Sequence, residues 1–126
     1  MLCPSTQMWE ADVGEEPKVE DVAPVDAVSL VELGAVLLDV REQDEWDLGH
    51  APTAVHVPLA EVAGSAGRFA GQTVLTVCRS GGRSATAAAQ LATAGVDVRN
   101  VAGGMTAWSA DGLAVVRDDG APGVVG

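Results

Sequence analysis

The chain has 126 residues, which is enough for one domain with a sizeable core and too few for two ordinary domains. Its 18 acidic residues against 7 basic ones give a net charge of −11, which repels nucleic acid backbones and anionic membrane surfaces. No apolar run approaches the roughly 18 residues of a membrane span, and Met1–Glu20 lacks the basic start and apolar stretch of a secretory signal, so we expect a cytoplasmic protein with neither nucleic acid nor membrane as partner.

The composition changes along the chain and indicates one folded unit with two flexible ends. Residues 1–21 are polar and acidic, which predicts a flexible N-terminal tail. The domain is expected over residues 22–117, and the Gly- and Asp-rich residues 118–126 are expected to form a flexible C-terminal end. Cys3 and Cys78 lack the dense spacing of a disulfide framework and are expected to be free thiols. With two histidines and no C-x-x-C pair, we predict no metal site.

The domain is predicted to alternate helices with strands. Helices are indicated by apolar residues at helical spacing or by good helix formers that end at a glycine, and strands by continuous apolar or β-branched runs. In chain order the predicted elements are a helix at Pro24–Leu33, a strand at Ala35–Val40, a short charged helix at Glu42–Leu48, a strand at Val55–Val57, a weakly helical stretch at Leu59–Phe69, a strand at Thr73–Val77, a helix at Arg83–Ala94, a strand at Val96–Val101, a helix at Gly103–Trp108 and an edge strand at Leu113–Val116.

This alternation predicts an α/β fold with a mostly parallel central sheet and helices on both faces. In such sheets ligands bind beyond the carboxyl ends of the strands. The turn after Thr73–Val77 lies at such an end and continues as Cys78–Arg83 directly into a helix. We therefore expect the chemistry of the protein in that turn.

The turn Cys78–Arg83 has the features of a reactive cysteine site. A cysteine before a helix N-terminus has its pKa lowered by the helix dipole and by free amides. Gly81 and Gly82 allow successive N–H groups to turn inward as an anion-binding nest around the sulfur. Arg79 and Arg83 place two of seven basic residues beside the thiol, which indicates an anionic substrate. Attack by the thiolate on a sulfane sulfur would leave a persulfide, which an acceptor nucleophile then removes.

Three separated motifs extend this interpretation beyond the turn. They are Asp39-Val-Arg-Glu-Gln-Asp-Glu-Trp46 followed by Gly49-His50, then Cys78-Arg-Ser-Gly-Gly-Arg83, and then Gly103-Gly-Met-Thr-Ala-Trp108. In order and spacing they resemble the rhodanese-like domain family, and the resemblance covers about Val25–Val116. It implies a single rhodanese-like α/β domain without a bound cofactor.

The resemblance also implies a role for individual residues. Cys78 would form the persulfide, and Asp39 and Arg41 would support its loop. The substrate-binding cradle would consist of Arg79, Ser80, Gly81, Gly82 and Arg83. Thiosulfate or a protein persulfide would be the sulfur donor, and cyanide, a small thiol or a partner protein the acceptor. The sequence leaves these choices and the oligomeric state open.

Other conspicuous residues have structural interpretations. Trp46 and Trp108 lie in apolar-patterned stretches and are predicted to anchor the core or the helices. His50 follows Gly49 and is interpreted as a local hydrogen-bonding or packing residue, not as a proton donor.

Two alternatives to a sulfurtransferase follow from the same residues. Dual-specificity phosphatases that control the cell cycle share the fold and use a cysteine in a backbone cradle, which makes phosphatase or arsenate reductase chemistry a rival. Those phosphatases have a longer Cys-x5-Arg loop, whereas four residues separate Cys78 from Arg83 here. A non-catalytic sulfur relay or interaction module is the other alternative. A relay needs the same persulfide and differs only in its acceptor, while an interaction module needs no nucleophile.

Overall fold

The structure, a computed structural model, describes residues 18–126. Its strands are β1 (Glu20–Val22), β2 (Val36–Asp39), β3 (Val55–His56), β4 (Thr73–Val77) and β5 (Asp97–Val101). Its helices are α1 (Pro24–Glu32), α2 (Gln43–Leu48), α3 (Leu59–Ser65), α4 (Gly82–Thr93) and α5 (Gly104–Ala110), and a 3₁₀ helix at Ala66–Phe69 follows α3. The elements predicted from the first helix to the last are present close to their expected bounds.

The five strands form one parallel sheet in the order β1-β5-β4-β2-β3. Helices α3 and α4 cover one face, where they share a core cluster with β2, β4 and β5. Helices α1 and α5 cover the other face. The predicted α/β fold, with a parallel sheet between two helical layers, is confirmed. Strand β4 is central, so its carboxyl end lies in the middle of the sheet edge.

The alternation of side chains along β4 determines on which face of the sheet the Cys78 side chain lies. Neighbouring residues along a strand point to opposite faces, so Val74 packs with the α3 and α4 side while Leu75 packs with the α1 and α5 side. The alternation continues past the end of β4. Val77 belongs to the α1 and α5 side, and Cys78 belongs to the α3 and α4 side. The thiol therefore lies on the side of the sheet from which α4 packs.

Two sequence expectations about strands were wrong. Residues 20–22 form β1, which pairs with β5, so the sheet begins within the stretch expected to be a tail. Leu113–Val116 does not form an edge strand, because Val116 makes only isolated antiparallel bridges, with His50 and with Pro122. Leu113 and Val115 instead pack against the α1 and α5 side of the core. Residues 1–17, which include Cys3, lie outside the described residues.

The C-terminal residues lie against the turn that follows α2. The N–H of Val124 donates to the carbonyl of Leu48 at 3.0 Å, and the N–H of Gly123 donates to the carbonyl of Val115 at 2.9 Å. A Cβ on Gly49 would meet the Val124 backbone at 2.7 Å, so this turn and the terminal segment are in close contact. Flexibility of residues 118–126 stays a prediction. Within residues 18–126, none of the helices has the length and apolar character that a membrane span requires.

The start of α5 holds the loop that follows β4. Gly104 has a φ of +60°, in the left-handed region, and the next two N–H groups donate to that loop. Met105 N–H donates to the Cys78 carbonyl at 2.7 Å, and Thr106 N–H donates to the Arg79 carbonyl at 3.0 Å. A Cβ on Gly104 would meet both carbonyls, and its separation from the Arg79 oxygen would be 2.6 Å. Glycine is therefore required where α5 meets the loop.

We expect Gly104→Ala to lower the free energy of unfolding by about 2 kcal/mol or more, because left-handed strain is combined with overlap against two backbone carbonyls. Gly112→Ala is the matched control: its φ is +79°, but a Cβ there has no neighbour within 4 Å, so only the strain of about 1 kcal/mol applies. Chemical denaturation of both variants beside the wild type measures the difference. Equal losses in the two variants would contradict the close approach at Gly104.

Candidate active site

Cys78 directly follows β4, at the edge of the sheet where the chemistry was expected. The residue is buried, with 1% of its surface exposed, and its thiol is free. Burial disfavours a charged sulfur because a low-dielectric surrounding solvates charge poorly. The reactivity of Cys78 therefore depends on the hydrogen bonds that the loop supplies.

Several donors converge on the Cys78 sulfur. The Gly81 N–H donates to Sγ at 3.1 Å, and the Ser84 hydroxyl donates to it at 3.3 Å. Burial raises the pKa of the Cys78 thiol, but the Ser84 hydroxyl and the amides of Ser84, Gly81 and Ser80 outweigh it and hold the pKa below its ordinary value. These donors are neutral dipoles, so the loop favours the thiolate through hydrogen bonding.

The inward turn of the amides depends on Gly81, which precedes α4. Its φ of +117° lies in a region that side chains rarely adopt. The Gly81 carbonyl accepts hydrogen bonds from Ser84 Oγ at 3.2 Å and from Asn100 Nδ2 at 3.4 Å. A hydroxyl has one proton, and an anionic sulfur is a stronger acceptor than a carbonyl. The Ser84 proton therefore goes to the sulfur when Cys78 is ionised, and Asn100 continues to hold Gly81.

Three residues that support the sulfur were missed by the sequence interpretation. They are the buried polar residues Thr76, Ser84 and Asn100. Thr76 Oγ1 donates to the Ser84 carbonyl at 3.0 Å and so ties the first turn of α4 to the sheet. A sequence signal existed for Thr76, because it interrupts the apolar run at the end of β4 and a buried polar side chain needs a partner. Asn100 gave no such signal, because its strand also contains Asp97 and Arg99. Ser84 directly follows the cysteine motif.

Arg83 is held by an acidic residue from the first motif. Its Nη1 and Nη2 donate to Glu45 Oε1 and Oε2 at 2.6 and 2.9 Å. The hydrogen bonds from Arg83 hold the pKa of the Glu45 carboxyl down at about 2, against a smaller opposing effect of burial. Glu45 likewise raises the pKa of Arg83, and the charge of Cys78 contributes to this rise. Arg83 is therefore near the sulfur but is engaged by Glu45, a partner that the sequence interpretation did not identify.

The rest of the predicted cradle lies at the protein surface. Arg79, Ser80 and Gly82 are exposed, and the amide of Ser80 reaches the sulfur. The structure thus brings Cys78 together with the backbone of Ser80 and Gly81. Contact of the Arg79 and Ser80 side chains with a substrate stays a prediction.

Asp39 and Arg41 form a fully buried ion pair, with Arg41 Nη2 at 2.8 Å from Asp39 Oδ2. Arg41 also donates from Nη2 to the Gly49 carbonyl at 2.7 Å. The pair therefore connects the end of β2 to the turn at Gly49. Its connection to the cysteine loop is indirect: the charge of Arg41 helps to lower the pKa of Glu45, which in turn holds Arg83. The loop-supporting role stays a prediction.

Trp46 lies between two imidazole rings. The ring centroids of Trp46 and His50 are 3.6 Å apart, and those of Trp46 and His56 are 4.7 Å apart. Asp118 Oδ1 accepts a hydrogen bond from Trp46 Nε1 at 3.1 Å and lies 2.9 Å from His50 Nε2. His50 thus has the packing and hydrogen-bonding contacts expected for it. Trp46 and Trp108 are both buried, as predicted.

Known proteins are similar to this chain in sequence and in fold. A family model described as a rhodanese-like domain matches residues 24–111, which include the cysteine loop and its supports. The chain is 35% identical over 115 residues to thiosulfate sulfurtransferase 18 of Arabidopsis thaliana, covering 76% of this chain and 85% of that protein. It is also 35% identical over 91 residues to thiosulfate sulfurtransferase GlpE of Pseudomonas savastanoi pv. phaseolicola, covering 71% and 86%. Other relatives are longer, and the chain spans 24% of an adenylyltransferase and sulfurtransferase of Yarrowia lipolytica and 48% of an HTH-type transcriptional regulator of Mycobacterium tuberculosis.

Solved structures agree with this assignment. A rhodanese-related protein from Thermoplasma volcanium superposes with a TM-score of 0.71 at 26% identity, covering 77% of this chain and 97% of that one. Because the family model matches well over half of the chain, the chain belongs to the rhodanese-like domain family.

Proposed function

We propose that the protein is a sulfurtransferase that carries sulfane sulfur as a persulfide on Cys78. The observation that carries this proposal is the set of hydrogen bonds on Cys78 Sγ, because they lower the pKa of a buried thiol and make it a nucleophile. Two relatives named thiosulfate sulfurtransferases support the reaction class.

The reaction would proceed by two displacements on sulfur. The Cys78 thiolate attacks the outer sulfur of the donor, a Cys78 S–S bond forms, and the bond between that sulfur and the rest of the donor breaks. With thiosulfate the leaving group is sulfite. The acceptor, which is cyanide, a thiol or a partner protein, then attacks the outer persulfide sulfur and releases the Cys78 thiolate. No cofactor is needed, because both steps exchange one sulfur bond for another.

The loop is suited to the persulfide as well as to the thiolate. The amides of Ser80 and Gly81 lie at the start of α4, where the helix dipole and free N–H groups stabilise negative charge. We propose that these amides, Gly82 and the exposed Arg79 contact the donor. A free, reactive thiol also fits a reducing compartment, so we place the protein in the cytoplasm.

We expect the reduced protein to gain about 32 Da, one sulfur atom, on treatment with thiosulfate, since the Cys78 thiolate would retain the sulfane sulfur. Intact-mass spectrometry measures the gain, and cyanide or a thiol should reverse it. Cys78→Ala should abolish it, whereas Cys3→Ala should retain it. A gain that survives in Cys78→Ala would contradict the proposed site, and the absence of any gain with both thiosulfate and a persulfide donor would contradict the function.

We expect the Cys78 thiolate to form with a midpoint below the ordinary cysteine value, and Ser84→Ala to raise that midpoint, because the Ser84 hydroxyl donates to the sulfur. The hydroxyl stabilises the charged sulfur more than the neutral thiol, so its removal favours the protonated form. Thiolate absorbance in the ultraviolet, titrated in a Cys3→Ser background, measures both midpoints. Because the thiolate is the nucleophile, the rate of persulfide formation should rise with pH through the same midpoint.

Thr86→Ala is the control for this titration, because it also removes a hydroxyl from the first half of α4, at an exposed position. Its midpoint should match the wild-type value. An unchanged midpoint in Ser84→Ala would show that the hydroxyl does not stabilise the thiolate.

We expect Cys78 to give no turnover of an aryl phosphate, because the loop has four residues between Cys78 and Arg83 and its amides are already directed at the sulfur. Release of the aryl alcohol provides the measurement. Turnover in the wild type that disappears in Cys78→Ala would favour the phosphatase alternative.

A further inference from the structure

Glu45 connects the first sequence motif to the cysteine loop. It is the third residue of α2, and its Oε1 accepts a hydrogen bond from the Glu42 N–H at 3.1 Å in a reciprocal capping arrangement. The backbone at the start of α2 therefore fixes the position of the Glu45 carboxylate before any substrate binds. From this position the carboxylate meets the guanidinium of Arg83 across the gap between α2 and α4.

The ion pair between Glu45 and Arg83 is bidentate and partly buried. Both carboxylate oxygens accept from different guanidinium nitrogens, at 2.6 and 2.9 Å, and the two side chains are 20% and 36% exposed. Paired bonds of this kind are stronger and more directional than a single ion contact. Glu45 remains ionised throughout the neutral range, since its pKa lies at about 2. The pair is therefore maintained under the conditions in which a thiolate reacts.

This pair alters the charge that an incoming donor meets. The guanidinium of Arg83 is close enough to the sulfur to respond to the charge of Cys78, but its own charge is balanced by Glu45. Glu42 adds a further negative field at Arg83. The chain as a whole carries a net charge of −11, which repels small dianions at longer range. Both the local pairing and the overall charge thus oppose a donor with two negative charges.

We propose that Glu45 is a specificity-determining residue, which engages Arg83 and thereby favours persulfide donors of low charge over thiosulfate. This inference rests on the proposed function. In both cases the Cys78 thiolate attacks the outer sulfur of the donor. Thiosulfate, with two negative charges, releases sulfite, which also has two. An alkyl persulfide anion, with one charge on sulfur, releases an alkyl thiolate. The total charge is conserved in each step, and a second free cation beside Arg79 would attract the dianion more strongly than the monoanion.

Steady-state kinetics with Glu45→Gln tests the proposal, using thiosulfate as donor and cyanide as acceptor. Loss of the negative charge that balances Arg83 should lower KM for thiosulfate about tenfold while kcat stays within about twofold of the wild type, because binding gains the unbalanced charge of Arg83 and the nucleophile is unchanged. With cysteamine persulfide, whose ammonium and persulfide charges cancel, kcat/KM should change less than about twofold. An unchanged KM for thiosulfate would overturn the proposal.

Matched variants separate the pairing from the loss of one negative charge. Glu42→Gln removes a carboxylate from the same helix start but leaves Glu45 and Arg83 paired, so KM for thiosulfate should fall less than about twofold. The double variant Glu45→Gln with Arg83→Ala should lose the tenfold gain of Glu45→Gln, and a gain that persists there would overturn the role of Arg83. Thermal unfolding verifies that each variant is folded.

Glu45→Asp provides a second route if the Gln variant does not fold. It keeps the charge but shortens the reach, so it should lower KM for thiosulfate to a smaller extent. If the wild type transferred sulfur from neither thiosulfate nor cysteamine persulfide, the proposed function itself would be overturned. Wild-type transfer from cysteamine persulfide combined with identical thiosulfate KM values in wild type and Glu45→Gln would leave the function intact and overturn only the role of Glu45.

Discussion

The structure is organised around a sulfur atom that is buried and yet stabilised as an anion. Burial alone would hold Cys78 in its neutral form, so the loop must supply donors in the first turn of α4. The amide of Gly81 and the hydroxyl of Ser84 provide two of them. The local backbone follows from this requirement, because amides can converge on one atom only if the chain adopts the left-handed conformation at Gly81.

Turning amides inward turns carbonyls outward, and this explains why distant parts of the chain belong to one site. Buried carbonyls need donors of their own. The start of α5 supplies them to Cys78 and Arg79, which requires glycine at position 104. Asn100 supplies another to Gly81 from the end of β5. The motif Gly103–Trp108 therefore supports the cysteine motif Cys78–Arg83. Glu45, in the motif Asp39–Trp46, connects to the same loop through Arg83.

Sequence reasoning placed Cys78 at the end of a strand and before a helix because the signals for these elements are local. The apolar run of β4 and the abrupt change to Cys78 mark a strand that ends in a turn, and the following alanine-rich stretch marks a helix. Strand β1 was missed because Glu20 and Asp21 carry no apolar pattern, and an edge strand is stabilised by pairing with its neighbour. Leu113–Val116 was wrongly predicted as a strand because its apolar and β-branched residues are typical of one. However, Leu113 and Val115 are used in packing against α1 and α5.

The roles of charged residues were the hardest to obtain from sequence, because counting charges does not reveal their partners. Two arginines beside Cys78 suggested a local positive field, but Glu45, 38 positions away from Arg83, balances one of them. The hydrogen-bond donors that reach the sulfur are neutral dipoles. Dipoles act over a short range and are weakened less by salt than the field of an exposed charge. A cradle built in this way stabilises negative charge on Cys78 Sγ, and in the proposed function it would also stabilise charge on an added outer sulfur with little help from the charge of the donor. The chemistry of the loop and the acidic character of the chain are therefore compatible.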